Sequence, residues 1–167
     1  GDLGGRLEKQ AGANPQTSTH AIVTSERQID GSYICNETEK SGLIRAFFNT
    51  GVYVEELYLR ADKNARWSPF AGTIGNYSIR GNTLTLVDVA NVSVLEPNTV
   101  KRSSVHVEEQ ILRNDSSGYT TKRTKRVVDG VPQPVASEGD VCRLIGPVNE
   151  KQVALRDKLL EMARRIR

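Results

Sequence analysis

The stretch TIGNYSIRGNTLTLVDVAN, Thr73–Asn91, decides the fold. Two runs rich in β-branched, aromatic and aliphatic residues meet at Arg80-Gly81-Asn82. Gly81 and Asn82 both tolerate the positive φ that a tight hairpin turn needs. The reading is an antiparallel pair, Thr73–Ile79 and Thr83 to about Val94, broken after that by Glu96-Pro97-Asn98. The same grammar extends outward in both directions. Ser32–Glu37, Leu43–Phe48 and Val52–Arg60 precede it, the last two joined by Asn49-Thr50-Gly51. Val100–Arg113, Tyr119–Val128 and Val141–Ile145 follow, the first two joined by Asn114-Asp115-Ser116-Ser117-Gly118. Eight short strands on turn signals predict an all-β, eight-stranded antiparallel up-and-down barrel, an architecture that encloses space for a small molecule.

After Gly146-Pro147 the period changes. Asn149 is a candidate N-cap, and Leu155, Leu159, Met162 and Ile166 recur at helical spacing, with Glu161 and Arg165 four apart. This amphipathic helix is expected to pack on the barrel. A narrow stripe with mixed charges also fits a dimer contact or a membrane-surface helix, so the oligomeric state is open. The expected organisation is a mobile lead-in over residues 1–27, a barrel over 28–147 and a helix over 148–167.

Composition bounds the function. The chain has 167 residues, with 26% charged and 37% apolar, which suits a single globular domain. It opens at Gly1 without a Met or a signal peptide, as expected of a processed or trimmed form. No apolar run is long enough to span a membrane. Net charge is +3, but Arg164, Arg165 and Arg167 crowd the end, where they suit a helix C-terminus. Lys122-Arg123-Thr124-Lys125-Arg126 lacks the interleaved aromatics of a single-strand binder, so no nucleic-acid partner is expected. No metal-spaced His/Cys/Asp cluster, phosphate loop or nucleophile elbow occurs, and neither metal nor cofactor is expected. Cys35 and Cys142 fall in the first and last strands, which barrel closure brings together. They are either a disulfide, implying an exported or extracellular protein, or buried thiols in a cytoplasmic one.

Alternation assigns the faces. Ile44, Ala46 and Phe48 form the apolar side of the second strand, which points them inward and Arg45 outward. Val105, Val107 and Ile111 share a face with Glu109, and Leu84, Leu86, Ala90 and Val92 share one with Asp88. Two carboxylates are therefore expected in an apolar bore, where an isolated charge costs several kcal/mol and demands a partner or a proton. Either face of the seventh strand carries cations, and an Arg123–Glu109 pair is the sharpest expectation. The competing reading sets these charges at an open, solvated barrel mouth. Tyr53, Tyr58, Trp67 and Tyr77 are the candidate wall or lid. The expected ligand-binding set is thus Ile44, Phe48, Tyr58, Asp88, Val105, Val107, Glu109, Ile111 and Arg123, with Glu109, Arg123 and Tyr58 as candidates for proton transfer.

Gln28-Ile29-Asp30-Gly31-Ser32-Tyr33 resembles the Gly-x-Trp start of lipocalin and lipocalin-like (calycin-type) barrels, with Tyr33 at the Trp position. Phe70-Ala71-Gly72-Thr73, followed by Tyr77 to Leu84, is similar to a cassette of bacterial lipocalin-like domains. The resemblance covers about residues 28–145. It implies binding of a small apolar or amphipathic molecule, or a cofactor-independent cyclase or isomerase that folds a reactive substrate. It also implies that Arg143 packs across Tyr33. An inhibitor or interaction barrel is the third class, distinguished by a filled interior.

Overall fold

The computed structural model describes residues 28–135 and 139–165. The lead-in read at residues 1–27 and the stripe position Ile166 lie outside them. The strands are β1 (Gly31–Cys35), β2 (Ser41–Phe47), β3 (Val52–Leu59), β4 (Ser68–Arg80), β5 (Thr83–Ser93), β6 (Glu96–Asp115), β7 (Gly118–Val128), β8 (Val131–Pro132) and β9 (Val141–Gly146). One helix, α1 (Glu150–Arg164), follows. Neighbours run β6-β5-β4-β3-β2-β1-β9-β7, and β6 pairs with β7, so eight antiparallel strands close on themselves. The two-residue β8 adds only to the far end of β7.

The β4–β5 hairpin turns at Gly81, whose φ is +58°, as the sequence predicts, whereas Asn82 does not take up a positive φ. The next turn differs. Val94-Leu95 makes it, and β6 begins at Glu96 rather than beyond the proline. Pro97 is accommodated because the ladder is irregular there: Ser93 pairs with Glu96 and Val92 already with Val100. A proline without an N–H costs nothing where no ladder bond is asked of it.

Closure depends on β9, which bridges β1 and β7. It meets β7 over only three residue pairs, Gly118–Arg143, Tyr119–Cys142 and Thr120–Val141. Gly118 has a φ of +140°, and a Cβ there would sit 2.0 Å from the Cys142 carbonyl oxygen. On the other side Cys35 lies opposite Cys142, and a disulfide joins them. The cysteines are therefore a disulfide and not buried thiols.

Both sides of the sheet are apolar over much of its area. Inside lie Tyr33, Phe47, Tyr53, Leu84, Leu86, Val107, Ile111, Tyr119 and the disulfide. Edge-to-face contacts link Tyr33 to both Phe47 and Tyr119, and Tyr77 to Phe47. Outside, Ala46, Phe48, Val54, Ile74 and Ala90 pack against Leu155, Leu159, Leu160 and Ala163 of α1. Asn149 caps α1 through a reciprocal capping box with Gln152. A second outer cluster gathers Ile34, Ile44, Ile145, Tyr58 and Trp67.

That double burial inverts the expected faces of β2. Ile44 and Phe48 face away from the bore, into the two outer clusters, and Arg45 faces into it. Tyr58 and Trp67 are outside as well, whereas Tyr53 and Tyr77 line the bore. In β5 a register shift between Asp88 and Ala90 turns Ala90 and Val92 outward onto the helix, leaving Asp88 inward with Leu84 and Leu86. Arg143 is exposed opposite outward-facing Ile34, so it does not pack across Tyr33. The cation opposite Tyr33 is Arg45.

Gly118→Ala is expected to destabilise the barrel by at least about 2 kcal/mol, because positive φ and a backbone collision act together. Gly81→Ala, whose Cβ meets open space, is expected to cost about 1 kcal/mol or less. Urea unfolding of both variants checks this, and equal losses would contradict the closure role of Gly118.

A charged belt across the barrel bore

The candidate site is a chain of ionic and hydrogen-bonded groups strung across the bore. Its centre is Arg45, only 4% exposed. β2 aims this side chain inward because Arg45 pairs with Tyr33 on one side and Glu55 on the other, and directly opposed residues share a face. Arg45 Nε donates to Glu55 Oε1 at 2.6 Å. Its Nη1 donates to the Tyr119 hydroxyl at 2.6 Å and to Asp140 Oδ2 at 2.9 Å. The guanidinium therefore spans strands β2, β3, β7 and the entry to β9.

Asp140 extends the belt. Asn36, held at a φ of +55° after β1, donates from Nδ2 to Asp140 Oδ1 at 2.9 Å. The Asp140 backbone N donates to Thr121 Oγ1 at 2.8 Å, and that hydroxyl donates to Glu109 Oε1 at 2.9 Å. Glu109 is completely buried, and Arg123 reaches it with Nε and Nη2 each donating to Oε2 at 3.2 Å. The Arg123–Glu109 pair expected from alternation is thus formed, and Glu109 lies opposite Leu84 in the bore. A register shift in β7 then places Arg126 opposite Val107 and Val128 opposite Val105, so a second arginine faces inward above the first. Asp88 lies at that upper level, where the Tyr53 hydroxyl donates to it.

The protonation pattern follows from burial and these partners. Burial acts to lower the affinity of Arg45 for its proton. Glu55, Tyr119 and Asp140 more than offset this and keep the guanidinium charged. Burial also acts to raise the Asp140 carboxyl, but Arg45, with hydrogen bonds from Asn36, Arg45 and Glu109, holds it at about 2. Glu109 goes the other way. Burial raises its carboxyl, the neighbouring Asp140 charge raises it further, and Thr121 and Arg45 compensate only in part. Within this carboxyl pair Asp140 is the more acidic member and Glu109 the more basic one. Burial likewise raises Asp88, against the hydrogen bond from Tyr53.

Of the ligand-binding set read from the sequence, Asp88, Val105, Val107, Glu109, Ile111 and Arg123 meet inside the barrel. Ile44, Phe48 and Tyr58 do not, because the outer clusters hold them. Arg45, Glu55, Tyr119 and Asp140 were not legible as site residues. The signal for Arg45 lay in its pairing opposite Tyr33, two residues before an inward Cys35; Asp140 in a polar connection carried none.

Arg45→Leu is expected to cost about 3–5 kcal/mol, since it strands Asp140 as a buried charge, and leaves the partly buried Glu55, without their partner. Equilibrium unfolding measures it, and a loss under 1 kcal/mol would remove Arg45 from the centre of the belt. The depressed Asp140 carboxyl also fixes a sign. Its contribution is present above its unfolded value near 4 and is lost as pH falls toward 2. Asp140→Asn is expected to flatten the stability profile between pH 4 and pH 2; an unchanged slope there would contradict the assignment.

No protein-family model, no curated protein and no solved structure matches this chain.

Proposed function

We propose that the barrel is a lipocalin-like carrier, holding a small amphipathic molecule in the half of the bore above Arg45. The observation that supports it is the Arg123–Glu109 pair. Glu109 is sealed in the bore while the Arg123 side chain is 30% exposed, so one ion pair runs from the dry interior to solvent. A polar head group meets Arg123, Arg126 and Asp88 there, and the apolar body lies against Leu86, Val105 and Val107. The Cys35–Cys142 disulfide favours an oxidising, exported setting for such a carrier. Among the described residues no helix is long and apolar enough to cross a membrane.

A second reading is favoured by one observation, the contrast between the raised Glu109 carboxyl and the lowered Asp140 carboxyl. An acid beside a base, in a bore that shapes a flexible substrate, suits a cofactor-independent cyclase or isomerase.

Native mass spectrometry beside the denatured mass tests the carrier. A defined extra mass that vanishes on denaturation is expected, and Arg123→Gln should weaken its retention at least tenfold, about 1.4 kcal/mol. A clean chain mass, together with no displaceable binding of 1-anilinonaphthalene-8-sulfonate, would overturn it. Glu109→Gln then separates the readings, since it should spare carriage and abolish turnover of any bound substrate.

A further inference from the structure

The turn between β5 and β6 departs from the chemistry of the other tight turns. Gly81-Asn82, Ser116-Ser117 and Asp129-Gly130 reverse their strands with glycine and short polar residues, whereas Val94-Leu95 joins β5 to β6. Packing does not account for the choice. Val94 is 53% exposed, and Leu95, at 79%, is the most exposed large apolar residue among those described. One exposed aliphatic group is ordinary; two in succession at a strand reversal, where polar residues would serve, call for a surface that takes them up. The tip is also well placed to meet one. β6 pairs with β7 only from Val105–Val128 onward, so residues 96–102 are laddered to β5 alone and carry the turn past the end of β7.

An independent observation is the charge of the same corner. The last turns of α1 lie beside the start of β6, where Lys158 and Arg165 share a cleft of about 660 Å³ with Asn98 and Val100. Lys101 and Arg102 on β6 and Arg164 on the helix are exposed next to them. Arg102 lies opposite Ala90, which packs on α1, so it belongs to the helix side of the sheet. Two carboxylates stand among these cations: Glu96, 3.0 Å from Lys101, and Glu161, 3.4 Å from Arg165 and 3.8 Å from Arg164. These ion pairs are solvent-exposed and weakly held, and positive charge remains in excess around the apolar tip.

We infer that this corner docks on an anionic lipid bilayer, with Val94 and Leu95 entering the acyl boundary while Lys101, Arg102, Lys158, Arg164 and Arg165 meet the head groups. Apolar insertion and attraction to anionic lipid act together in such peripheral binding. A narrow tip of two aliphatic side chains fits a fluid surface that opens around it. A protein partner is recognised through a broader face with aromatic or arginine anchors in pockets, and the exposed large apolar residues among those described are all Val or Leu. The inference concerns the outer surface and does not rest on the carrier reading.

The test is co-sedimentation of the full chain with vesicles of phosphatidylcholine alone and of phosphatidylcholine mixed two to one with phosphatidylglycerol. Binding to the anionic vesicles is expected to be at least tenfold tighter than to the neutral ones, and to weaken as salt is raised. Leu95→Ser, at a side chain that packs little, should weaken it at least threefold with thermal unfolding unchanged, and Arg164→Gln with Arg165→Gln at least fivefold. Phosphatidylcholine carrying a nitroxide on its acyl chain, added to the anionic vesicles, should broaden the Val94 and Leu95 amide signals. Equal binding to both vesicles, no binding, undiminished binding of Leu95→Ser, or broadening confined to other residues would overturn the inference. So would self-association without vesicles that Leu95→Ser abolishes, which would assign the tip to a second copy of the chain. None of these outcomes touches the bore, so the carrier reading stands or falls separately.

Discussion

Arg45 constrains the rest of the barrel. A guanidinium with almost no exposed surface loses several kcal/mol of hydration, and only a complete set of partners makes such a placement tenable. Glu55, Asp140 and the Tyr119 hydroxyl provide that set, and they come from three other places along the chain. Each must be in register for the charge to be met. A one-residue slip of β2 against β3 would aim Arg45 outward and strand Glu55; a slip of β9 would withdraw Asp140. The ion network therefore specifies closure as much as it stabilises it, much as a polar residue fixes the register of an otherwise uniform apolar interface.

The carboxyls show how one belt sets two different proton affinities. Asp140 and Glu109 are both buried and adjacent, yet Arg45 and Asn36 act on Asp140 directly, while Glu109 receives Arg123 at 3.2 Å and the repulsion of Asp140. Two carboxyls at close range in a dry site have their proton affinities driven apart. Proton placement is then a property of the network and not of either residue.

The barrel was legible in the sequence because its information is local. Gly81-Asn82 and Asn49-Thr50-Gly51 are turn chemistry, and Val105, Val107 and Ile111 alternate cleanly over one dry face and one wet face. Glu109 and Arg123 were legible for the same reason, since β6 and β7 keep a solvated outer side around them. The reading failed where both sides of a strand are covered. In β2, Leu43, Arg45 and Phe47 face the bore, and Ile44, Ala46 and Phe48 face the helix and the Trp67 loop. Hydrophobicity is then no guide to direction. The apolar set with no charge in it pointed inward on paper; in the fold it is the outer set, because the charge has its counter-ions inside. Ala90 and Val92 escaped for another reason, a bulge at Asp88–Ala90 that resets the alternation.

The disulfide between β1 and β9 has a consequence for connectivity. By joining Cys35 to Cys142 it converts nearly the whole barrel into one covalent macrocycle, with the helix attached as a tail. A protease that cuts one exposed connection, such as the loop between β3 and β4, linearises the ring without dividing the molecule. The two new ends stay tethered through sulfur, and the nicked strands can find each other again at the effective concentration of an intramolecular encounter. The ring in effect makes the order of strands around the barrel independent of where the chain happens to be open.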